Sequence, residues 1–281
     1  LTITSGGNLT VSADLNSATF LATVSGDVAI NNAINSGSGT LTVDADNDLT
    51  VGANLTTSNT GNSAIVLTAG KNDAAGTSSG GQVMISGSPT ISTGGSGRTT
   101  FLTGSVSDST GLTTLVGSGT GRFRYHSDET TTNYTTALST GKYAIYREQP
   151  TTTITPSSTT ITYGDSTPTI SASGLQNGDT LTSSIDSATY TDHGGGTSYL
   201  DVTGANDDDG VFQSAGYALT ENLAALGYDV TNTQTITVNQ KEVSLTATKT
   251  YDGTNDLDGS QVTINNLVTN EAIGYSGATV N

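Results

Sequence analysis

The sequence has no cysteine and no tryptophan, and only 4 of its 281 residues are proline. Without cysteine there can be no disulfide, no thiol nucleophile and no cysteine-ligated metal. Basic residues are also scarce, 8 against 25 acidic ones, which gives a net charge of −17. Such a surface repels nucleic acid and anionic lipid head groups, so neither is an expected partner. No apolar run reaches the roughly 18 residues of a membrane-spanning helix, so membrane insertion is not predicted.

Apolar residues make up 32% of the chain and charged residues 12%, while glycine occurs 35 times. Disordered chains share the low apolar content, but they are usually rich in proline or charge and lack a regular apolar pattern. Here short alternating segments of β-branched residues are separated by Gly, Asn and Asp. This pattern predicts an all-β protein.

A nine-residue pattern that begins at Asn8 returns at Asp27 and again at Asp48. Each copy reads polar, apolar, polar, apolar, then small or polar residues, then one more apolar residue. A second series of apolar pairs lies between the copies, at Leu1/Ile3, Leu21/Thr23, Leu41/Val43 and Ile65/Leu67. Two interleaved series with one period of about 20 residues predict a solenoid of stacked parallel strands.

In such a solenoid equivalent residues stack about 4.8 Å apart. The predicted columns are Leu9, Val28 and Leu49; Val11, Ile30 and Val51; and Leu15, Ile34 and Leu55. A loop at 71–81 interrupts the pattern, and Val83, Ile85 and Ile91 then resume the three columns. Phe101–Leu102 and Leu112–Val116 are predicted as the last strands. Asn8, Asn16, Asn35 and Asn54 are expected at the corners, where their side-chain amides would form ladders.

These patterns divide the chain into four parts. Residues 1–117 are predicted to form a right-handed parallel β-helix with coils of about 20 residues. Residues 118–150, rich in Arg and Tyr, are predicted as a cap and connector, because a solenoid end leaves strand edges unpaired. Residues 151–240 are predicted as a small β-sandwich or β-grasp-like module, with one helical turn within 221–226. Residues 241–281 are predicted to form part of a further β module.

Beyond residue 150 the motifs resemble repeats of bacterial adhesins. Tyr163-Gly164-Asp165, Ser173-Gly174-Leu175, Gly216-Tyr217 and Tyr228-Asp229-Val230 are similar to the MBG-type repeat. Lys249-Thr250-Tyr251-Asp252-Gly253-Thr254 resembles the opening of the YDG-type repeat, and residues 1–117 are similar to the β-helix of filamentous haemagglutinin, a two-partner-secreted exoprotein. The resemblance implies an extracellular or cell-surface location, a role in attachment or biofilm contacts, and flanking domains in a longer polypeptide.

Three functions are compatible with these patterns. The first is a structural and adhesive segment that contacts glycans or matrix components. The second is a self-assembling filament subunit whose partners are sister copies of the chain. The third, a polysaccharide-active β-helix enzyme, needs convergent carboxylates with Arg or Lys in a groove. Residues 1–117 hold only two basic residues, Lys71 and Arg98. No catalytic or cofactor-binding residue is therefore predicted, and the chain is not expected to be an enzyme.

Two acidic runs are the candidate metal ligands. Asp207, Asp208 and Asp209 are consecutive, whereas Asp44, Asp46 and Asp48 alternate and would project from one side of an extended strand. Calcium prefers six to eight oxygen ligands of this kind, so calcium is the one cofactor that the sequence suggests. The alternative is that these acids are solvated turn residues.

His126 and His193 are isolated, and zinc is not predicted. Tyr163, Tyr217, Tyr228 and Tyr251 are expected in cores or corners.

Overall fold

The computed structural model describes residues 1–162, 164–166, 168–185, 189–192, 198–201, 215–216, 219–231, 237–239 and 241–269. The chain divides into two compact units. The first unit comprises Leu1–Ile154, Ala172–Thr182 and Glu221–Thr231. The second comprises Thr155–Ser171, Ser183–Thr220 and Asn232–Asn281. The first unit therefore includes two segments, 172–182 and 221–231, that lie within the predicted MBG-like module.

The structure is all-β, as the sequence predicts, with very little helix. In chain order the first fifteen strands are β1 (Thr2–Ser5), β2 (Leu9–Val11), β3 (Leu15–Asn16), β4 (Phe20–Val24), β5 (Val28–Ile30), β6 (Ile34–Asn35), β7 (Leu41–Ala45), β8 (Leu49–Val51), β9 (Leu55–Thr56), β10 (Ile65–Ala69), β11 (Val83–Ile85), β12 (Ile91–Ser92), β13 (Arg98–Thr103), β14 (Phe123–Arg124) and β15 (Gly141–Tyr146). One short helix, α1 (Leu112–Val116), lies between β13 and β14.

These strands form three parallel sheets. The largest has the order β1-β4-β7-β10-β13-β15-β14, and the two smaller sheets have the orders β2-β5-β8-β11 and β3-β6-β9-β12. Each of the first four repeats thus contributes one strand to every sheet. Buried apolar side chains from all three sheets come together in one core cluster.

The strand register confirms the predicted columns. Leu9 pairs with Val28, Val28 with Leu49, and Leu49 with Val83. Leu15 pairs with Ile34, Ile34 with Leu55, and Leu55 with Ile91. Because side chains alternate between the two faces of a strand, this register turns every column residue toward the same side of its sheet. From Val28 onward the residues of the first column are completely or almost completely buried.

One predicted pair is wrong by a single residue. In the second repeat the core-facing residues are Phe20 and Ala22, which pair with Leu41 and Val43. Leu21 is half-buried and pairs with Thr42. Phe20 and Leu21 are both apolar, so the sequence pattern did not distinguish the two registers, and a one-residue shift exchanges the faces of the whole strand.

The predicted strand at Leu112–Val116 is also wrong, because this segment is the helix α1. Leu112 and Val116 lie one helical turn apart, and both are buried. Gly111 and Gly117 flank the helix with φ values of 75° and 106°, which favour glycine and interrupt the extended backbone. Phe101, by contrast, lies on β13 and is buried as predicted.

Side chains at the corners bind the backbone of the following repeat, and do not form the amide-to-amide ladders that the sequence suggested. Asn8 Oδ1 accepts a hydrogen bond from Asp27 N (2.9 Å), and Asp27 Oδ1 accepts one from Asp48 N (3.3 Å). Asp48 Oδ1 accepts one from Gln82 N (2.8 Å), and Gln82 Oε1 accepts one from Ser105 N (2.7 Å). We call this series the corner ladder. It satisfies backbone donors that the short strands leave outside the sheets.

The strands beyond residue 150 are β16 (Thr151–Pro156), β17 (Thr160–Thr162), β18 (Ile170–Ser173), β19 (Ser183–Ile185), β20 (Thr189–Asp192), β21 (Ser198–Asp201), β22 (Ala215–Gly216), β23 (Leu219–Glu221), β24 (Asp229–Thr231), β25 (Thr237–Asn239), β26 (Ser244–Ala247) and β27 (Val262–Asn265). In the second unit β17 and β25 are parallel, while β20 and β21, and β26 and β27, are antiparallel pairs. The predicted helical turn is a 3-10 turn at Ala224–Leu226. The described residues contain no helix that is both long and apolar enough to cross a membrane.

A second corner has a similar series of hydrogen bonds from side chain to backbone, which we call rungs, and one rung is missing at Ala33. Asp14 Oδ1 accepts a hydrogen bond from Ala33 N (3.1 Å), and Asn54 Oδ1 accepts one from Thr90 N (2.7 Å). Ala33 lies between these rungs and has no side-chain acceptor to offer Asn54 N. The change Ala33→Asn is expected to raise the free energy of unfolding by about 1 kcal/mol, the typical net value of one hydrogen bond.

Urea denaturation measures this change. Ala13→Asn is the matched control, because Ala13 is exposed in the same kind of corner but lies one residue outside the ladder position. A gain of equal size in the control would show that added polarity, and not the rung, is responsible.

Candidate functional site

The three alternating carboxylates do not project together from one strand. β7 ends at Ala45, so Asp44 lies on the strand, Asp46 on the bend that follows and Asp48 immediately before β8. Each has a partner within the protein. Asp44 Oδ2 lies 2.5 Å from Lys71 Nζ, Asp46 Oδ1 accepts a hydrogen bond from Asn72 Nδ2 (2.9 Å), and Asp48 belongs to the corner ladder.

Across the described part of the chain, no three His, Cys, Asp or Glu side chains are grouped so that they could hold a metal ion. The second predicted cluster, Asp207, Asp208 and Asp209, lies outside the described residues, as do His193, Tyr163 and Tyr217.

The loop at 71–81 is held down at both ends by Arg147, which follows β15. Its guanidinium donates through Nη1 to Ala69 O (2.5 Å) and through Nη2 to Gly81 O (2.9 Å), on either side of the loop. Nη2 also lies 3.5 Å from Asp73 Oδ2. Only 1% of the Arg147 surface is exposed. Burial lowers the pKa of Arg147 and the charge of Asp73 opposes this effect, so the guanidinium acts as a buried cation that closes the base of the loop.

Two further hydrogen bonds fold the middle of this loop against residues that precede and follow β15. Gly76 N donates to Arg147 O (2.8 Å), and Ala75 N donates to Asp128 Oδ2 (2.8 Å). Burial by itself would raise the pKa of Asp128, but hydrogen bonds from Thr130, Ala75 and Thr131 outweigh it and lower the pKa to about 2. The loop is therefore a braced element of the first unit.

A buried cluster of tyrosines around one carboxylate lies beside the last strands of the large sheet. Tyr125 Oη and Tyr228 Oη both donate to Asp179 Oδ2, at 2.7 and 2.9 Å. The rings of Tyr125 and Tyr228 are 4.5 Å apart and tilted, and Tyr146 stacks on Tyr125 at 5.6 Å. Asn177 Nδ2 donates to Tyr125 Oη (3.1 Å). We call Tyr125, Tyr146, Asn177, Asp179 and Tyr228 the tyrosine–carboxylate cluster.

Burial dominates the electrostatics of this cluster. It raises the pKa of Asp179, and the two tyrosine hydroxyls and Arg124 offset this only in part. Burial also raises the pKa of Tyr146 to about 12 and raises the pKa values of Tyr125 and Tyr228. The phenols are therefore neutral at any ordinary pH, and the only group of the cluster that can change charge is Asp179.

Arg124 fixes the strand next to the cluster. Its guanidinium donates to the backbone oxygens of Gly121, Phe123, Thr136 and Ala137. It also lies over the rings of Tyr134 and Tyr143, 5.6 and 5.5 Å from their centroids. These contacts are to the chain's own backbone and rings, so Arg124 stabilises the fold.

Sequence reasoning identified the Arg and Tyr content of this region but missed Asp179 and Asn177, which it placed in the following module. The only local signal was the Asn177-Gly178-Asp179 turn, in which Asn177 and Gly178 have φ values of 51° and 74°. A turn signal shows where the chain bends, but not that the bend docks fifty residues back on Tyr125. Tyr228 is buried as expected, whereas Tyr251 is 89% exposed and is not a core residue.

In the YDG-like motif the Lys249 ammonium organises its own loop. Lys249 Nζ lies 2.9 Å from Asp252 Oδ1 and donates to Thr254 Oγ1 (2.7 Å) and Asp256 O (2.5 Å). The hydrogen bond from Lys249 lowers the pKa of Asp252 to about 2, together with bonds from Thr254. The polar side chains of the motif therefore bind one another, while Tyr251 is exposed.

Arg147→Met removes the buried donor that closes the loop base while keeping most of the side-chain volume. The carbonyls of Ala69 and Gly81 then lose a charged donor, and we expect a loss of about 3 kcal/mol in the free energy of unfolding. Arg122→Met is the matched control, because Arg122 is partly exposed and binds one carbonyl, that of Thr140. The control should lose less than about 1 kcal/mol. Denaturant unfolding of both variants tests this, and equal losses would contradict it.

Comparison of the chain with protein-family models, curated proteins and solved structures finds no match.

Proposed function

We propose that the three parallel sheets form a right-handed β-solenoid over residues 1–117. Residues 118–150 extend and close it, and small MBG-like and YDG-like β modules follow. Support comes from the register, in which equivalent residues of successive repeats pair without a shift over four strands of each smaller sheet. Each added coil lengthens such a solenoid by about 4.8 Å.

The chain then serves as a structural and adhesive segment of a large secreted or cell-surface bacterial adhesin, similar to filamentous haemagglutinin. The observation that carries this proposal is the continuous register of the repeats around a single apolar core, which makes a stiff element. Buried ionisable side chains support the same reading, since Arg124, Arg147 and Asp179 are each bound to the chain's own atoms. Side chains bound in this way act within the fold, as expected for a structural segment.

Attachment would come from many weak contacts along the repeats and the later modules, with glycans or matrix components as the partner class. Weak sites on a stiff, repeated carrier gain strength by multivalency, because the first contact raises the effective concentration of the next. The net charge of −17 favours neutral or cationic partners over polyanions.

Beads coated with the chain at increasing density test this proposal. On a panel of immobilised glycans and matrix proteins we expect bead retention to rise steeply with density, whereas the free chain binds the same surface about 100-fold more weakly. Beads with an unrelated protein of similar net charge are the control for electrostatic adsorption.

Three outcomes would contradict the proposal. Tight binding by the free chain would indicate a single built site, and retention equal to the control would indicate no specific adhesion. Long fibres with a regular axial repeat in electron micrographs of the purified chain would favour the filament-subunit function.

A further inference from the structure

Two segments that follow β16 return to the first unit, and hydrogen bonds hold them there. Residues 172–182 bind through Thr152 Oγ1, which donates to Ser173 O (2.7 Å), and through Gly119 N, which donates to Asn177 O (3.0 Å). Residues 221–231 bind through Tyr125 N, which donates to Leu226 O (2.9 Å). We call 172–182 and 221–231 the returning segments.

The two returning segments are also bound to each other. Asn222 Oδ1 accepts a hydrogen bond from Thr182 N (2.7 Å), and Asn222 Nδ2 donates to Thr180 O (3.1 Å). Gln176 N donates to Tyr228 Oη (2.9 Å). Release of one segment therefore removes partners from the other, so the pair behaves as one cooperative element.

Asp179 lies on the first returning segment and binds both the second returning segment and the rest of the unit. Through a single oxygen, Oδ2, it accepts from Tyr228 on one returning segment and from Tyr125 beside β14. Its other oxygen, Oδ1, is buried and has no hydrogen-bond partner among the described residues. Asp179 is 6% exposed and belongs to none of the ion pairs in the described part of the chain.

A buried carboxylate with no cation in contact favours its neutral form, because burial without pairing costs an ionised group far more than a protonated one. Protonation at Oδ1 leaves Oδ2 as a carbonyl oxygen that still accepts from both tyrosines, although these bonds are weaker than those to a carboxylate. We propose that Asp179 is a proton-controlled latch that holds the returning segments tightly at acidic pH and loosens them as the pH rises. This device is independent of the adhesive function proposed above.

The sign follows from linkage. The pKa of Asp179 is raised in the folded chain, so the folded state binds the proton more tightly than the unfolded state does. The stabilisation is fully present below the ordinary value near 4 and is lost as the pH rises through the raised value. The charged and titratable groups that face Asp179 are Tyr125, Tyr228 and Arg124, and Tyr146 stacks behind Tyr125. The tyrosines remain neutral and Arg124 remains charged over this range, so neither reverses the sign.

Hydrogen–deuterium exchange of the whole chain at pH 4.5 and pH 7.5, corrected for intrinsic exchange rates, tests the latch. Protection in the returning segments should fall between the two pH values by about tenfold for each unit by which the raised pKa of Asp179 exceeds 4.5. Protection in β7 and β8, which do not contact the latch, should stay within about twofold of its starting value. In Asp179→Asn the neutral amide still accepts from the tyrosines, so the protection of the returning segments should lose its pH dependence.

Asp108→Asn is the matched control, since it removes one exposed carboxylate from the same unit and should keep the wild-type response. Tyr228→Phe removes one of the two donors to Asp179, so the ionised form is stabilised less and the loss of protection at pH 7.5 should become larger. The proposal is overturned if Asp179→Asn keeps the wild-type pH dependence, or if Tyr228→Phe leaves the loss of protection unchanged. It is also overturned if the wild-type returning segments are protected equally at both pH values.

Discussion

The parallel register of successive repeats is the constraint on which the first unit depends. Equivalent residues of successive repeats can pair only if each corner returns the chain to the same point of the repeat. The corner ladder does this, since Asn8, Asp27, Asp48 and Gln82 each bind the backbone of the next repeat. The fixed register also produces the apolar columns. Successive side chains of a strand point to opposite faces of the sheet, so strands in one register turn equivalent residues toward the core.

Buried polar contacts stabilise the places where the chain departs from the repeat. The loop at 71–81 leaves the large sheet after β10, and Arg147 closes its base by binding a carbonyl on each side. The last strands of that sheet carry no further coil, and Arg124, Tyr125 and Tyr146 occupy the space beside them. Unlike an apolar side chain, Arg124 donates to four backbone carbonyls there, those of Gly121, Phe123, Thr136 and Ala137.

Asp179 shows how local sequence and tertiary environment diverge. In the sequence it is one acid among 25 and follows an ordinary Asn-Gly turn. In the fold it is enclosed by tyrosines from two distant segments, and its charge state becomes coupled to whether those segments stay docked. For the predicted calcium ligands the sequence suggested a site that the fold does not form. Asp44 pairs with Lys71, and Asp48 accepts a hydrogen bond from the backbone.

By itself the sequence determined the all-β class, the period and the columns at Leu9, Leu15 and their equivalents. The apolar alternation that specifies a strand can be read within a single repeat, and each further repeat shows the same pattern again. The sequence prediction turned the wrong face of β4 toward the core, since Phe20 and Leu21 are both apolar and only the pairing of Phe20 with Leu41 selects one. Only the tertiary structure decided that Asn177, Asp179 and Tyr228 belong to the first unit. Their contacts join residues about fifty positions apart, and no local pattern encodes a contact whose partner is chosen by burial and packing.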